Sequence, residues 1–94
     1  MTTTKNFIFI RRKEYPNKDP FSLFGRLGID YQDAVDIIKN LKYGDYQYTI
    51  IDNINKYTFM FVFYKNVHES VIYIKISFKN EKTIVISFHE KLYE

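Results

Sequence analysis

The strongest constraint on the fold lies near the C-terminal end of the chain, where two runs alternate residue by residue across a short polar break. Side chains of a strand point to opposite faces in turn, so parity sorts residues onto faces. In residues 70–78, Ile72, Ile74, Ile76 and Phe78 form one side, and Val71, Tyr73, Lys75 and Ser77 the other. In residues 83–89, Ile84, Ile86 and Phe88 oppose Thr83, Val85, Ser87 and His89. The two runs predict an antiparallel hairpin with the aliphatic sets inward. Matching the faces of an unbroken pair requires residue numbers with an even sum. A three-residue loop Asn80-Glu81-Lys82 meets that condition and pairs Lys79 with Thr83, Lys75 with Ser87 and Tyr73 with His89. A five-residue loop also satisfies it and leaves those groups diagonal neighbours. Direct partners sit about 4.5–5.5 Å apart at Cβ, so a phenol, an ammonium and an imidazole are expected together on one uncovered sheet surface.

The rest of the chain supplies a sheet and its cover. Residues 7–12 read as a short strand of aromatic and branched residues, and residues 13–20 as a loop punctuated by Pro16, Asn17, Asp19 and Pro20. Phe21-Ser22-Leu23-Phe24 suggests a helical turn stopped by Gly25 or Gly28. The best helix spans residues 31–42: Asp30 caps it, Asp33 follows three residues on, and Tyr31, Ala34, Val35, Ile38 and Leu41 recur at the helical period. Gly44 is the expected stop. Residues 45–51 and 57–64 read as two further strands about a turn at residues 52–55, with a second turn at residues 65–69. Phe59, Phe61 and Phe63 look core-facing with Tyr57, whereas Lys56, Thr58, Met60 and Tyr64 share the open face, joined by Tyr48 or Gln47. The order predicts one α+β domain over residues 1–94, with residues 1–6 frayed and the helices on one face of an antiparallel sheet.

Composition narrows the function classes. The chain has no cysteine, which excludes a disulfide scaffold, a thiolate metal site and a cysteine nucleophile. With no signal-like or membrane-length segment, a cytoplasmic setting fits best, with no membrane partner. The net charge of +3 leans mildly towards polyanions. Two histidines without ligand spacing give no zinc pattern, and no phosphate-binding glycine loop or nucleophile elbow is present.

Cleavage of RNA by its own 2′-hydroxyl requires an acid, a base and cations around the phosphate, with no cofactor. Histidine titrates near neutrality and suits acid–base work, so His89 is read as the general acid. Lys75 is a phosphoryl stabiliser and Tyr73 a relay or positioning group. Lys56, Arg11 and Arg12, with Lys13, would guide the strand through phosphate contacts. Each has a plainer reading: a surface His–Tyr pair, a solubilising lysine, a solvated strand end. A non-catalytic binding or inhibitor protein, or an RNA-binding accessory protein, carries the same residues with no chemistry.

Residues 27–91 resemble the MqsR family of toxin mRNA interferases, which have the RelE-like fold. The resemblance is carried by Leu27-Gly28-Ile29-Asp30-Tyr31, Ile37-Ile38-Lys39-Asn40-Leu41, Asp45-Tyr46, Val71-Ile72-Tyr73-Ile74-Lys75-Ile76, and Ile84-Val85-Ile86-Ser87-Phe88-His89-Glu90-Lys91. It implies cleavage of single-stranded mRNA and neutralisation by a cognate antitoxin. The family's functional tyrosine falls on Tyr73, and its last-strand cation on His89. Tyr48, an RNA-contact candidate, stands where members carry a lysine, and Met60 lies near a family glutamine.

Overall fold

The computed structural model describes residues 6–51 and 59–91. Five strands form one sheet in the order β1-β5-β4-β3-β2, with β1 Phe7–Phe9, β2 Tyr46–Ile51, β3 Phe59–Val67, β4 Ser70–Lys79 and β5 Lys82–Glu90. Strands β2 to β5 form an antiparallel meander, and β1 joins β5 in parallel, pairing Phe7 with Thr83 and Phe9 with Val85. The strand expected over residues 7–12 therefore ends at Phe9. Beyond it the chain leaves the sheet, because Asp19 takes up Arg11 and Arg12.

Two helices cover one face. Helix α1 spans Pro20–Leu27, longer than the turn expected there. Proline suits its first turn, where no intrahelical N–H partner exists. Gly28 closes it at φ +71°, a left-handed conformation that favours glycine. Helix α2, Tyr31–Lys39, starts on a reciprocal capping box in which the Asp33 N–H donates to Asp30 and the Asp30 N–H to Asp33. It ends at Asn40, whose side chain donates to the Asp36 carbonyl, so the helix stops before Lys42 and Gly44 is not the stop signal.

The core lies between the helices and the sheet: Leu23, Phe24, Ala34, Val35 and Ile38 meet Phe7, Ile72, Ile74, Ile76, Val85 and Phe88. Phe9, Phe24 and Phe88 pack edge to face with centroids 5.7–5.9 Å apart, a favoured aromatic geometry. Phe61 and Phe63 pack against this core as expected, but Phe59 is exposed. Phe78 shares the parity of Ile76 yet is 61% exposed, since it sits near the hairpin tip beyond the helices. Turn residues 52–55, with Lys56, Tyr57 and Thr58, lie outside the described residues.

Both described hairpins are tighter than expected. His68-Glu69 and Asn80-Glu81 are two-residue loops with positive φ at every position (49°, 70°, 53° and 64°), the signature of a type I′ turn. At the second loop Lys79 therefore pairs with Lys82, not with Thr83. The odd sum sends Val85 inward opposite Ile76 and turns Ile84 to the other face opposite Ser77, reversing the sequence assignment for both. A β-bulge then restores parity: Ile76 pairs with Val85 but Lys75 with Ser87, so Ile86 is the extra residue. From there Ile74 meets Phe88 and Tyr73 meets His89, as alternation predicted.

Candidate active site

The sheet face away from the helices carries two rows of side chains. One row runs Tyr48, Val62, Lys75, Ser87 across β2 to β5, and the next runs Tyr64, Tyr73, His89 across β3 to β5. A bulge at Gln47 sets Tyr48 rather than Gln47 opposite Val62. Val62 is fully buried in the floor of this face. The rows thus bring Tyr73, Lys75 and His89 together with Tyr48, on strands packed from behind by the core.

The His89 ring lies nearly parallel to that of Tyr73, with centroids 5.2 Å apart and planes 14° apart. Its Nδ1 is 2.9 Å from the carbonyl oxygen of Glu90. A carbonyl only accepts, so Nδ1 carries the hydrogen and Nε2 holds the free lone pair of the neutral ring. Burial lowers the His89 pKa; the Glu90 carbonyl opposes that shift, and Lys18, Lys75 and Arg12 add to it by repelling a second positive charge. The ring is therefore neutral and basic at neutral pH.

Burial also lowers the pKa of Lys75, helped by Arg12 and Lys18 and opposed by Tyr48. Tyr73 moves the other way. Burial, a hydrogen bond with Tyr48 and the neighbouring Tyr48 and Tyr64 hydroxyls push it up to about 12. It stays protonated and can only give a proton to a strong base or hold one in place.

These groups line a cleft of about 410 Å³ with Ser87, Arg12, Tyr15 and Lys18. A space of this size suits a small-molecule or mononucleotide-sized group. Arg12 donates from Nη2 to the Ile86 carbonyl at 3.1 Å, so the bulged residue anchors a cation at the cleft. Arg12, Lys18 and Lys75 contribute positive charge, and no lining residue is acidic.

Adjacent arginines divide their work. Arg11 reaches Asp19 through Nε and Nη2, both at 2.9 Å, and its guanidinium lies 4.1 Å from the Phe21 ring centroid. It is thereby turned to Asp19 and does not line the cleft, whereas Arg12 does. Lys56 lies outside the described residues. Tyr15, Lys18 and Ser87 were missed as site residues. Ser87 was readable by parity, but Tyr15 and Lys18 reach the site by a path of the chain that no strand pattern encodes.

Among the described residues no three His, Asp or Glu side chains gather as metal ligands would, and no helix is long and apolar enough to cross a membrane. No curated protein matches the chain. A family model described as "motility quorum-sensing regulator, toxin of MqsA" matches residues 9–90, which take in both helices, β2 to β5 and the last residue of β1. The match covers most of the sequence, and the helix-backed, mostly antiparallel sheet agrees with that family's RelE-like architecture: the chain belongs to the MqsR toxin family.

Proposed function

We propose that the protein is the toxin of a toxin–antitoxin pair, an endoribonuclease that cuts single-stranded mRNA in the cytoplasm by attack of the 2′-hydroxyl on the adjacent phosphate. A cognate antitoxin protein neutralises it. One observation carries the reading: strand pairing sets a neutral imidazole, a phenol and an ammonium side by side in a cleft with further cations and no carboxylate.

The roles follow from protonation state. The free Nε2 of His89 removes the 2′-hydroxyl proton, so His89 serves as base rather than the acid expected from sequence alone. Lys75 and Arg12 offset the charge that builds on the phosphoryl oxygens as the 2′-oxygen bonds to phosphorus. Tyr73, protonated at neutral pH, hydrogen-bonds the departing 5′-oxygen and gives it a proton as the phosphorus–oxygen bond breaks. Tyr48, whose hydroxyl is close enough to Tyr73 to raise its pKa, helps to keep the Tyr73 phenol protonated. The products are a 2′,3′-cyclic phosphate and a 5′-hydroxyl; His89 then releases its proton to solvent and the Tyr73 phenolate takes one back from it.

The test is digestion of single-stranded RNA by purified protein without added metal, with analysis of product ends. Cyclic phosphate ends, and a rate about 10²–10⁴-fold lower for His89→Ala, support the reading. Undamaged RNA, or an unimpaired His89→Ala, refutes it. Undamaged RNA together with tight, specific binding of another protein would favour a non-catalytic inhibitor on this fold.

A further inference from the structure

The wall of the cleft above the sheet is the segment between β1 and α1, and it is held more firmly than a solvated loop. Asp19, only 3% exposed, accepts from both arms of Arg11 and from the Arg12 N–H at 2.7 Å. Between these anchors the chain folds in two successive turns. The Tyr15 N–H donates to the Arg12 carbonyl at 2.9 Å, and the Lys18 N–H to the Tyr15 carbonyl at 2.8 Å. The second turn is the 3-10 helix Pro16–Lys18, which packs against β5. Residues three apart eclipse in 3-10 geometry, and Arg12, Tyr15 and Lys18 follow that spacing and all line the cleft.

Two of these side chains have no ion-pair or ring partner among the described residues. Lys18 forms no ion pair among the described residues, although it stands near enough to Lys75 and His89 to disfavour their charged forms. Tyr15 is 60% exposed and makes no ring contact among the described residues. An aromatic face beside an unmatched cation, on a rigid wall of an acid-free cleft, matches a nucleotide: the ring stacks the base and the ammonium meets a phosphate.

We propose that the β1–α1 segment is a substrate-holding arm, in which Tyr15 stacks the nucleobase next to the cleaved bond and Lys18 binds the phosphate flanking the scissile one. The proposal rests on the reading of the cleft as an RNA site. It makes the substrate a strand with an unpaired base and at least two phosphates in the site, because a base inside a duplex has no free face to offer Tyr15. Stacking tolerates any base, so the arm supplies affinity and single-strand selectivity rather than a sequence code.

The test uses the full chain and a fluorescein-labelled 2′-deoxy hexanucleotide, which lacks the attacking hydroxyl and separates binding from cleavage. Anisotropy titration should show Tyr15→Leu weakening binding about five- to hundredfold, with Tyr15→Phe restoring it. Lys18→Ala should reduce the slope of log affinity against log salt by about 0.7, the share of one single-strand phosphate contact, and Lys18→Arg should retain it. Equal affinities and slopes for wild type, Tyr15→Leu and Lys18→Ala overturn the arm, as does a wild-type protein that binds no oligomer. If both variants bind like wild type while His89→Ala abolishes RNA cleavage, the nuclease stands and the arm falls. If the binding effects appear but RNA stays uncut, the arm stands and the nuclease falls.

Discussion

Replacing Asp19 by Asn tests whether one buried carboxylate holds the cleft's upper wall. Asp19 receives the Arg11 guanidinium first and the Arg12 and Ser22 amides besides, and these outweigh burial to bring its pKa from 3.8 to about 2. The full shift corresponds to ~2.4 kcal/mol favouring the folded, ionised form. Arg11 has a side chain 38% exposed, so solvent screens the pair and ~1–2 kcal/mol is the better figure. Asparagine keeps one oxygen for an amide but loses the charge and the two-armed match to the guanidinium. For a chain of this size the melting temperature should fall by ~4–15 °C near neutral pH. The sign with pH is fixed by the direction of the shift. A depressed folded pKa contributes stability above the unfolded value of 3.8 and loses it as pH falls towards about 2. The wild-type and Asp19→Asn melting curves, followed by circular dichroism, should therefore converge as the solution is acidified through that window. Equal melting temperatures near neutral pH, or a gap that persists in strong acid, would refute the assignment.

Three further outcomes follow from other parts of the fold. Glu81 sits at φ +64°, where a side chain costs ~1–2 kcal/mol. After glycine's greater unfolded-chain entropy offsets part of this, ~1 kcal/mol remains and Glu81→Gly should raise the melting temperature by ~4–8 °C; a drop would contradict the turn geometry. Deleting Ile86 removes the residue that makes the bulge and leaves Lys75 opposite Ser87 and Tyr73 opposite His89. The deletion variant should fold with a native circular dichroism spectrum yet cut RNA more slowly, having lost the carbonyl that holds Arg12; an unfolded variant would contradict the assigned register. The pH–rate profile should be bell-shaped, with its acid limb below 6.5 and its alkaline limb below 10.5, because His89 must be neutral and Lys75 charged and both pKa values are lowered. An acid limb above 6.5 would remove His89 as the base.

Much of the site was legible because it is written in period-two alternation. Tyr73, Lys75, Ser87 and His89 share a face by parity, and the pairs Lys75–Ser87 and Tyr73–His89 occur in the structure. Yet the route to them was different. A three-residue loop was expected, and a two-residue loop with a compensating bulge is present. Alternation fixes residues only modulo such a bulge. The price was local: Thr83, Ile84 and Val85 exchanged faces, while everything beyond Ile86 was unaffected. The start of α2 was readable because Asp30 and Asp33 cap it through their own side chains. Its end was not, since Leu41 continues the apolar period while Asn40 breaks the helix. Arg11 and Arg12 look alike in sequence, and only the burial of Asp19 decides which one reaches the cleft. Tyr15 and Lys18 were illegible for the same reason: a loop's course depends on long-range anchoring, not on local propensity.

The parallel pairing of β1 with β5 has a consequence for when the cleft can form during synthesis. Chains emerge from the ribosome N-terminal end first and fold as their partners arrive. Among the described residues the first strand pairs with the last, with Phe7 beside Thr83, and the wall carrying Arg12 faces His89. A nascent polypeptide halted anywhere before residue 89 lacks the imidazole and most of the surface that the wall leans on. The cleft therefore stays incomplete until β5 has been made and has taken its place between β4 and β1.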